Sequence, residues 1–205
     1  MVNKIFGIGL SRTGTKSLTE SLNILGFDAV HWDYTKDLIF YKDKNLYICY
    51  DKFNKHDAFI DTPIVRTYKY LDRQFTESKF IYTRRNIEDW VKSCENLFTL
   101  NITEDELKER YKNPSNRDQL HIDLYGCIEF NKDKFIDFYN KHEKDVLEYF
   151  KDRREDLLIL DICTDSNIWV KLSEFLEKDI PSEDFPKIGM WPTELPAGAA
   201  TQFHT

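Results

Sequence analysis

Gly7-Ile8-Gly9-Leu10-Ser11-Arg12-Thr13-Gly14-Thr15-Lys16-Ser17-Leu18 runs from an apolar stretch through a small polar turn into a new periodic pattern. Upstream, Lys4-Ile5-Phe6 extends the apolar stretch, which reads as a buried strand over 4–10. Downstream, Leu18, Leu22 and Leu25 share one helical face, so a helix is expected over 15–25. A strand, a glycine-bearing loop and a helix N-terminus in that order aim several backbone N–H groups and a positive dipole end at one point. Arg12, Lys16 and the hydroxyls of Ser11, Thr13, Thr15 and Ser17 add charge and donors there. The expected ligand is an oxyanion, a phosphate or a sulfate, with Lys16 either joining it or facing solvent.

Working outward, apolar runs predict further strands at 27–31, 57–61, 79–83 and 156–161. Helices are expected at 35–44, 64–75, 87–98, 103–112, 117–150 with a break, and 167–177. Strands alternating with helices imply an α/β fold of three layers, a P-loop-type arrangement with a central parallel sheet flanked by helices. Residues 1–190 form the expected domain. The tail 191–205, with Pro192, Pro196 and Gly198 and no charged residue after Glu194, is expected to be irregular.

A nucleotide-hydrolase loop reads G-x-x-x-x-G-K-[ST], with Lys directly after the second Gly. Gly9 and Gly14 have that separation, but Thr15 intervenes before Lys16-Ser17. The shift turns Lys16 by about 100° around the helix. The charge left inside the loop is Arg12. A [KR]-[ST]-G-[ST] pattern after a first strand, here Arg12-Thr13-Gly14-Thr15, resembles the 5′-phosphosulfate loop of sulfotransferases that use 3′-phosphoadenylyl sulfate (PAPS).

A second stretch extends the resemblance. After the strand at 79–83, Arg84-Arg85-Asn86 opens a helix that carries Ser93. The family has a strand, then R-[DN]-P, then a Ser eight residues beyond the Arg, and both hold the 3′-phosphate of the donor. Arg85, Asn86 and Ser93 fit this spacing; Ile87 stands where the family has Pro. Arg85 precedes the helix and Ser93 lies two turns inside it, so a guanidinium reaching along the groove can meet the same phosphate, and Arg makes bidentate contacts with phosphate. The plainer alternative pairs Arg84 and Arg85 with Glu88 and Asp89 at the surface. Asp61-Thr62-Pro63 at a strand end, and Leu157 to Asp161 followed by Trp169, Leu172 and Pro181, resemble one subfamily. The C-terminal Arg-Lys-Gly clamp of cytosolic small-molecule sulfotransferases is absent.

The resemblance implies sulfuryl transfer from PAPS, leaving PAP, to a hydroxyl or amine of a small-molecule or carbohydrate acceptor, without a metal. Donor-binding residues would be Ser11, Arg12, Thr13, Gly14, Thr15, Lys16, Ser17, Arg85 and Ser93. Such a displacement needs positioning and charge stabilisation more than covalent help from the protein. Arg12 would stabilise the departing 5′-phosphate. Two candidates for a general base sit at strand ends, where ligands collect in a parallel sheet. Asp61 is preferred for position, although it could instead hold Arg12 or Arg66, or cap the following helix. His31 is the other, an imidazole suited to proton abstraction near neutrality, or else a packed polar residue. His56, His121, His142 and His204 have no supporting constellation. Trp32, Tyr34, Phe40, Tyr41, Tyr47, Tyr50 and Phe53 offer an aromatic wall for an acceptor, or ordinary core packing.

The 205 residues carry a net charge of −7, which argues against a nucleic-acid partner. Four scattered cysteines without a C-x-x-C pair read as free thiols in a reducing compartment. No apolar stretch is long enough to span a membrane. The first core strand begins at Lys4, leaving no room for a signal peptide, so a cytoplasmic location is expected. Two other classes stay open: a P-loop kinase for a nucleotide or small metabolite, with 58–61 as its acidic strand, and a catalytically inactive nucleotide-binding relative.

Overall fold

The computed structural model describes residues 4–31, 39–42 and 44–189. The opening apolar stretch becomes β1 (Ile5–Gly7), buried along its whole length as befits a strand covered on both faces. Then come α1 (Thr15–Ile24), β2 (Ala29–His31), β3 (Ile39–Lys42), β4 (Asn45–Ile48), a 3-10 segment (Tyr50–Lys55), β5 (Ala58–Ile60) and α2 (Thr62–Gln74). After these are β6 (Lys79–Thr83), α3 (Ile87–Phe98), α4 (Glu104–Lys112), α5 (Asn116–Tyr125), α6 (Lys132–Tyr149), β7 (Leu157–Leu160) and α7 (Ile168–Leu176).

Five strands form one parallel sheet in the order β2-β5-β1-β6-β7, and Gly7 of β1 pairs with Ile60 on one side and Ile81 on the other. Side chains alternate between the faces. Ile5, Ile60 and Ile81 pack with Leu18 and Leu22 of α1 and Leu172 and Leu176 of α7. Phe6, Phe59 and Phe80 pack with Ile64 and Leu71 of α2 and Val146 and Phe150 of α6. This is the expected α/β architecture. The chain leaves β1 toward the β2 edge and leaves β5 the other way, toward β6. That reversal opens a crevice at the carboxyl ends of the central strands.

One expectation about local structure changes. The helix placed at 35–44 is instead, in its described part, the first strand of an antiparallel hairpin, with Ile39 opposite Ile48 and Phe40 opposite Tyr47. Aromatic and β-branched side chains favour this pleated pairing over a helix. Phe40 and Tyr47 stack with centroids 5.5 Å apart, and Lys44 takes φ 63° in the turn. The break expected within 117–150 falls where Gly126, at φ 69°, ends α5 and the Asn131 side chain accepts the Lys134 N–H to start α6. In the aromatic wall, Phe53 is fully buried among Phe6, Phe59 and Phe75 and is core. Trp32 and Tyr34, His204, and the tail 191–205 lie outside the described residues. Among the described residues, no helix is long and apolar enough to cross a membrane, and all four cysteines are free.

Two buried histidines make stability depend on pH. His142 donates its Nε2–H to the Ile8 carbonyl at 2.8 Å, and burial holds its pKa down at about 4. Burial, with Arg117 adding to it, likewise brings His121 to about 4. The unfolded chain takes up protons near pH 6.5 that the folded chain refuses, so stability should fall between about pH 6.5 and 4. The expected loss is up to about 3 kcal/mol per histidine. Urea unfolding across this range checks it. A double His121→Gln, His142→Gln protein with an unchanged pH slope would contradict it.

Candidate active site

The loop between β1 and α1 is held from several sides. Ile8 N–H donates to Ile81 O at 2.9 Å, continuing the register of β6. Thr13 donates its hydroxyl to Leu10 O at 2.6 Å, and its N–H points to the same carbonyl at 3.2 Å. With its proton so used, Thr13 accepts from the Thr83 hydroxyl, 2.6 Å away at the end of β6. Buried Trp90 of α3 donates its indole N–H to Ser11 O at 2.9 Å. Only glycine fits at position 9, where a Cβ would stand 1.9 Å from Thr83 Oγ1. Gly14 adopts φ 94°, and a Cβ there would press on Ile162 at 2.9 Å.

This frame presents the start of α1 to the crevice. The first intrahelical bond runs from Leu18 N–H to Gly14 O, so the N–H groups of Gly14 to Ser17 lie outside the helical ladder. The first turn contains no acidic residue. Arg12, at φ 75°, sends its Nε–H to Ser93 Oγ at 2.8 Å. Arg85 donates to the Arg12 carbonyl at 3.3 Å. Tyr139 of α6 grips Arg85 from behind, donating to its carbonyl at 2.6 Å and accepting its N–H at 3.2 Å. Asn86 caps α3 by accepting from Glu88 and Asp89 N–H, which orients the helix bearing Ser93. Among the described residues no carboxylate lies within ion-pair distance of Arg12 or Arg85, whereas Arg84 lies 3.9 Å from Glu143. Cys94, next to Ser93, is fully buried, and that burial pushes its thiol pKa well up against the opposing pull of Arg12 and Arg85.

On the other flank, β2 and β5 bring His31 and Asp61 together. Asp61 Oδ1 accepts the Ser11 hydroxyl at 2.7 Å and the Thr62 hydroxyl at 3.0 Å, and Ser11 and Thr62 also touch each other. Asp61 Oδ2 is 3.3 Å from His31 Nε2, which lies 3.1 Å from Thr15 Oγ1. Asp61 therefore holds neither Arg12 nor Arg66, which pairs with Asp123, and its side chain does not cap α2. Its backbone sits at φ 98°, ψ −177°, a region otherwise left to glycine. Lys16 is exposed, and Ser17 accepts the Ile188 N–H at 2.9 Å.

The structure thus gathers Ser11, Arg12, Thr13, Gly14, Thr15, His31, Asp61, Arg85 and Ser93 around one crevice, with Lys16 at its solvent side. Thr62, Thr83, Trp90 and Tyr139 escaped the sequence reading. Thr62 borders a candidate and could have been suspected; Tyr139, 54 residues from Arg85, gave no local signal. Among the described residues, no group of three or more His, Cys, Asp and Glu is placed to hold a metal.

None of the curated proteins searched matches the chain. A family model described as a sulfotransferase domain matches residues 4–190. Because that match takes in the loop after β1, both arginines and every strand of the sheet, the chain belongs to the sulfotransferase family of transferases.

Proposed function

We propose that residues 1–190 form a catalytic domain that transfers a sulfuryl group from PAPS to a hydroxyl or amine of a small-molecule or carbohydrate acceptor. The observation that carries this reading is the pair Arg12 and Arg85, in contact and without a carboxylate partner among the described residues, on a chain of net charge −7. Two such cations beside a helix N-terminus favour a ligand bearing more than one anionic group. Arg12, Thr15 and the N–H groups of Gly14 to Ser17 would hold the 5′-phosphate. Arg85 and Ser93 would hold the 3′-phosphate; Ser93 accepts from Arg12, so its own hydroxyl proton remains free to donate.

The donor supplies an activated sulfuryl group whose departure leaves negative charge on the 5′-phosphate. Arg12 and the start of α1 stabilise that charge. Asp61 takes the acceptor proton on Oδ2, because Oδ1 is already engaged by two hydroxyls. His31 Nε2 lies against both Oδ2 and Thr15, linking the base to the donor loop. His31 is then a positioning residue for Asp61.

Thermal shifts with PAP, 5′-AMP and ATP test the donor. PAP without metal should stabilise the protein by about 3 kcal/mol at a hundred times its Kd. Arg85→Ala or Ser93→Ala should weaken PAP about 10- to 100-fold, as expected for hydrogen bonds to a charged group, while scarcely changing 5′-AMP. Equal losses for both nucleotides would show that Arg85 and Ser93 do not read the 3′-phosphate. Stabilisation by ATP only with Mg²⁺ would favour a kinase.

A further inference from the structure

A groove of about 350 Å³ is lined by residues of α2, α5 and α6 and by none of the residues gathered at the crevice. Its apolar wall comes from Val65, Tyr68, Tyr70, Leu124 and Phe138, with buried His142 held to the Ile8 carbonyl. The volume suits a small ring system rather than a polymer.

The charge of this groove is unlike that of the rest of the chain. Arg66 is neutralised by Asp123 at 3.2 Å. Lys69, Arg73 and Lys141 have no carboxylate partner among the described residues, and the only other acid lining the groove is Asp145. Lys69 Nζ instead lies between two rings, 5.2 Å from the centre of Tyr149 and 5.6 Å from that of Tyr68, and the Arg73 guanidinium lies 4.8 Å from that of Tyr70. These two cations thus rest against rings rather than against a counter-charge. Tyr68, 5% exposed, carries a hydroxyl with no hydrogen-bond partner, and burial together with Asp145 keeps it protonated as a donor.

We propose that this groove binds a small aromatic anion, an arene bearing a carboxylate or a sulfate ester. The ring would lie against Tyr70 and Phe138, and the anion would meet Lys69 and Lys141. Aromatic walls alone would take a neutral ring; three cations facing one carboxylate select a charged one. The inference is independent of the reaction assigned to the crevice.

Calorimetric titration of the full chain with 2-naphthoate, 2-naphthyl sulfate and neutral 2-naphthol, each with and without saturating PAP, provides the test. At least one of the two anions should bind one to one, about tenfold or more tighter than naphthol, and equally well with PAP present. Comparing the two identifies which anionic group the groove prefers. A Lys69→Glu, Lys141→Glu protein should lose about tenfold or more in that affinity, while Asp145→Lys, an exposed change, should gain severalfold. Failure of both anions to bind, equal binding of naphthol, displacement by PAP, or indifference to Asp145→Lys would each overturn the proposal. The titrations without PAP read the groove even if the crevice proves to bind something else.

Discussion

Arg12→Ala should lower kcat about 10²- to 10³-fold, with PAP release from PAPS followed across a panel of phenol and sugar acceptors. The size follows from the cost of losing one donor aimed at developing charge, about 3–4 kcal/mol. Affinity for PAP should fall less, because Arg85, Ser93 and the first turn of α1 remain. Arg12→Lys should lie between the two, keeping a charge but losing the planar fork that reaches Ser93 at 2.8 Å. If the Ala variant raised only the Kd for PAP and left kcat alone, Arg12 would be a ground-state binder with no share in the chemistry. A non-catalytic relative would show no PAP release in any variant.

The second large effect concerns Asp61, whose carboxylate and backbone make opposite demands. Asp61→Asn keeps the shape but cannot accept the acceptor proton, so turnover should drop about 10²- to 10⁴-fold. Asp61→Ala and Asp61→Gly should be equally inactive but not equally stable. Both lose the contacts to Ser11, Thr62 and His31, but only alanine still has to hold a side chain at φ 98°, ψ −177°. That conformation costs about 1–3 kcal/mol without glycine. Glycine's greater freedom in the unfolded chain returns about 0.4–1 kcal/mol of this. Urea unfolding should therefore find the Gly protein more stable than the Ala protein by about 1–2 kcal/mol. The reverse order would mean that the backbone at Asp61 is unstrained.

The pattern from Lys4 to Leu25 was readable because its causes are local: a buried strand, two glycines five residues apart and a helix with one apolar face. Arg85 and Ser93 were readable for the same reason, lying at the mouth and on the second turn of a single helix, α3. Short aromatic runs have no such clarity. Residues 39–48 suit either a helix or a hairpin until a partner strand is present, and pairing decided for the hairpin.

From the sequence alone came the strand–loop–helix with its unpaired N–H groups, the α/β alternation and most of the residues of the crevice, because neighbours in the chain must share hydrogen bonds and spacing. Only the tertiary structure joined Arg12 to Ser93, Asp61 to Ser11 and His31, and Tyr139 to Arg85. Those contacts depend on β5 and β6 flanking β1, and that order comes from how the sheet buries its two faces, which no local stretch encodes.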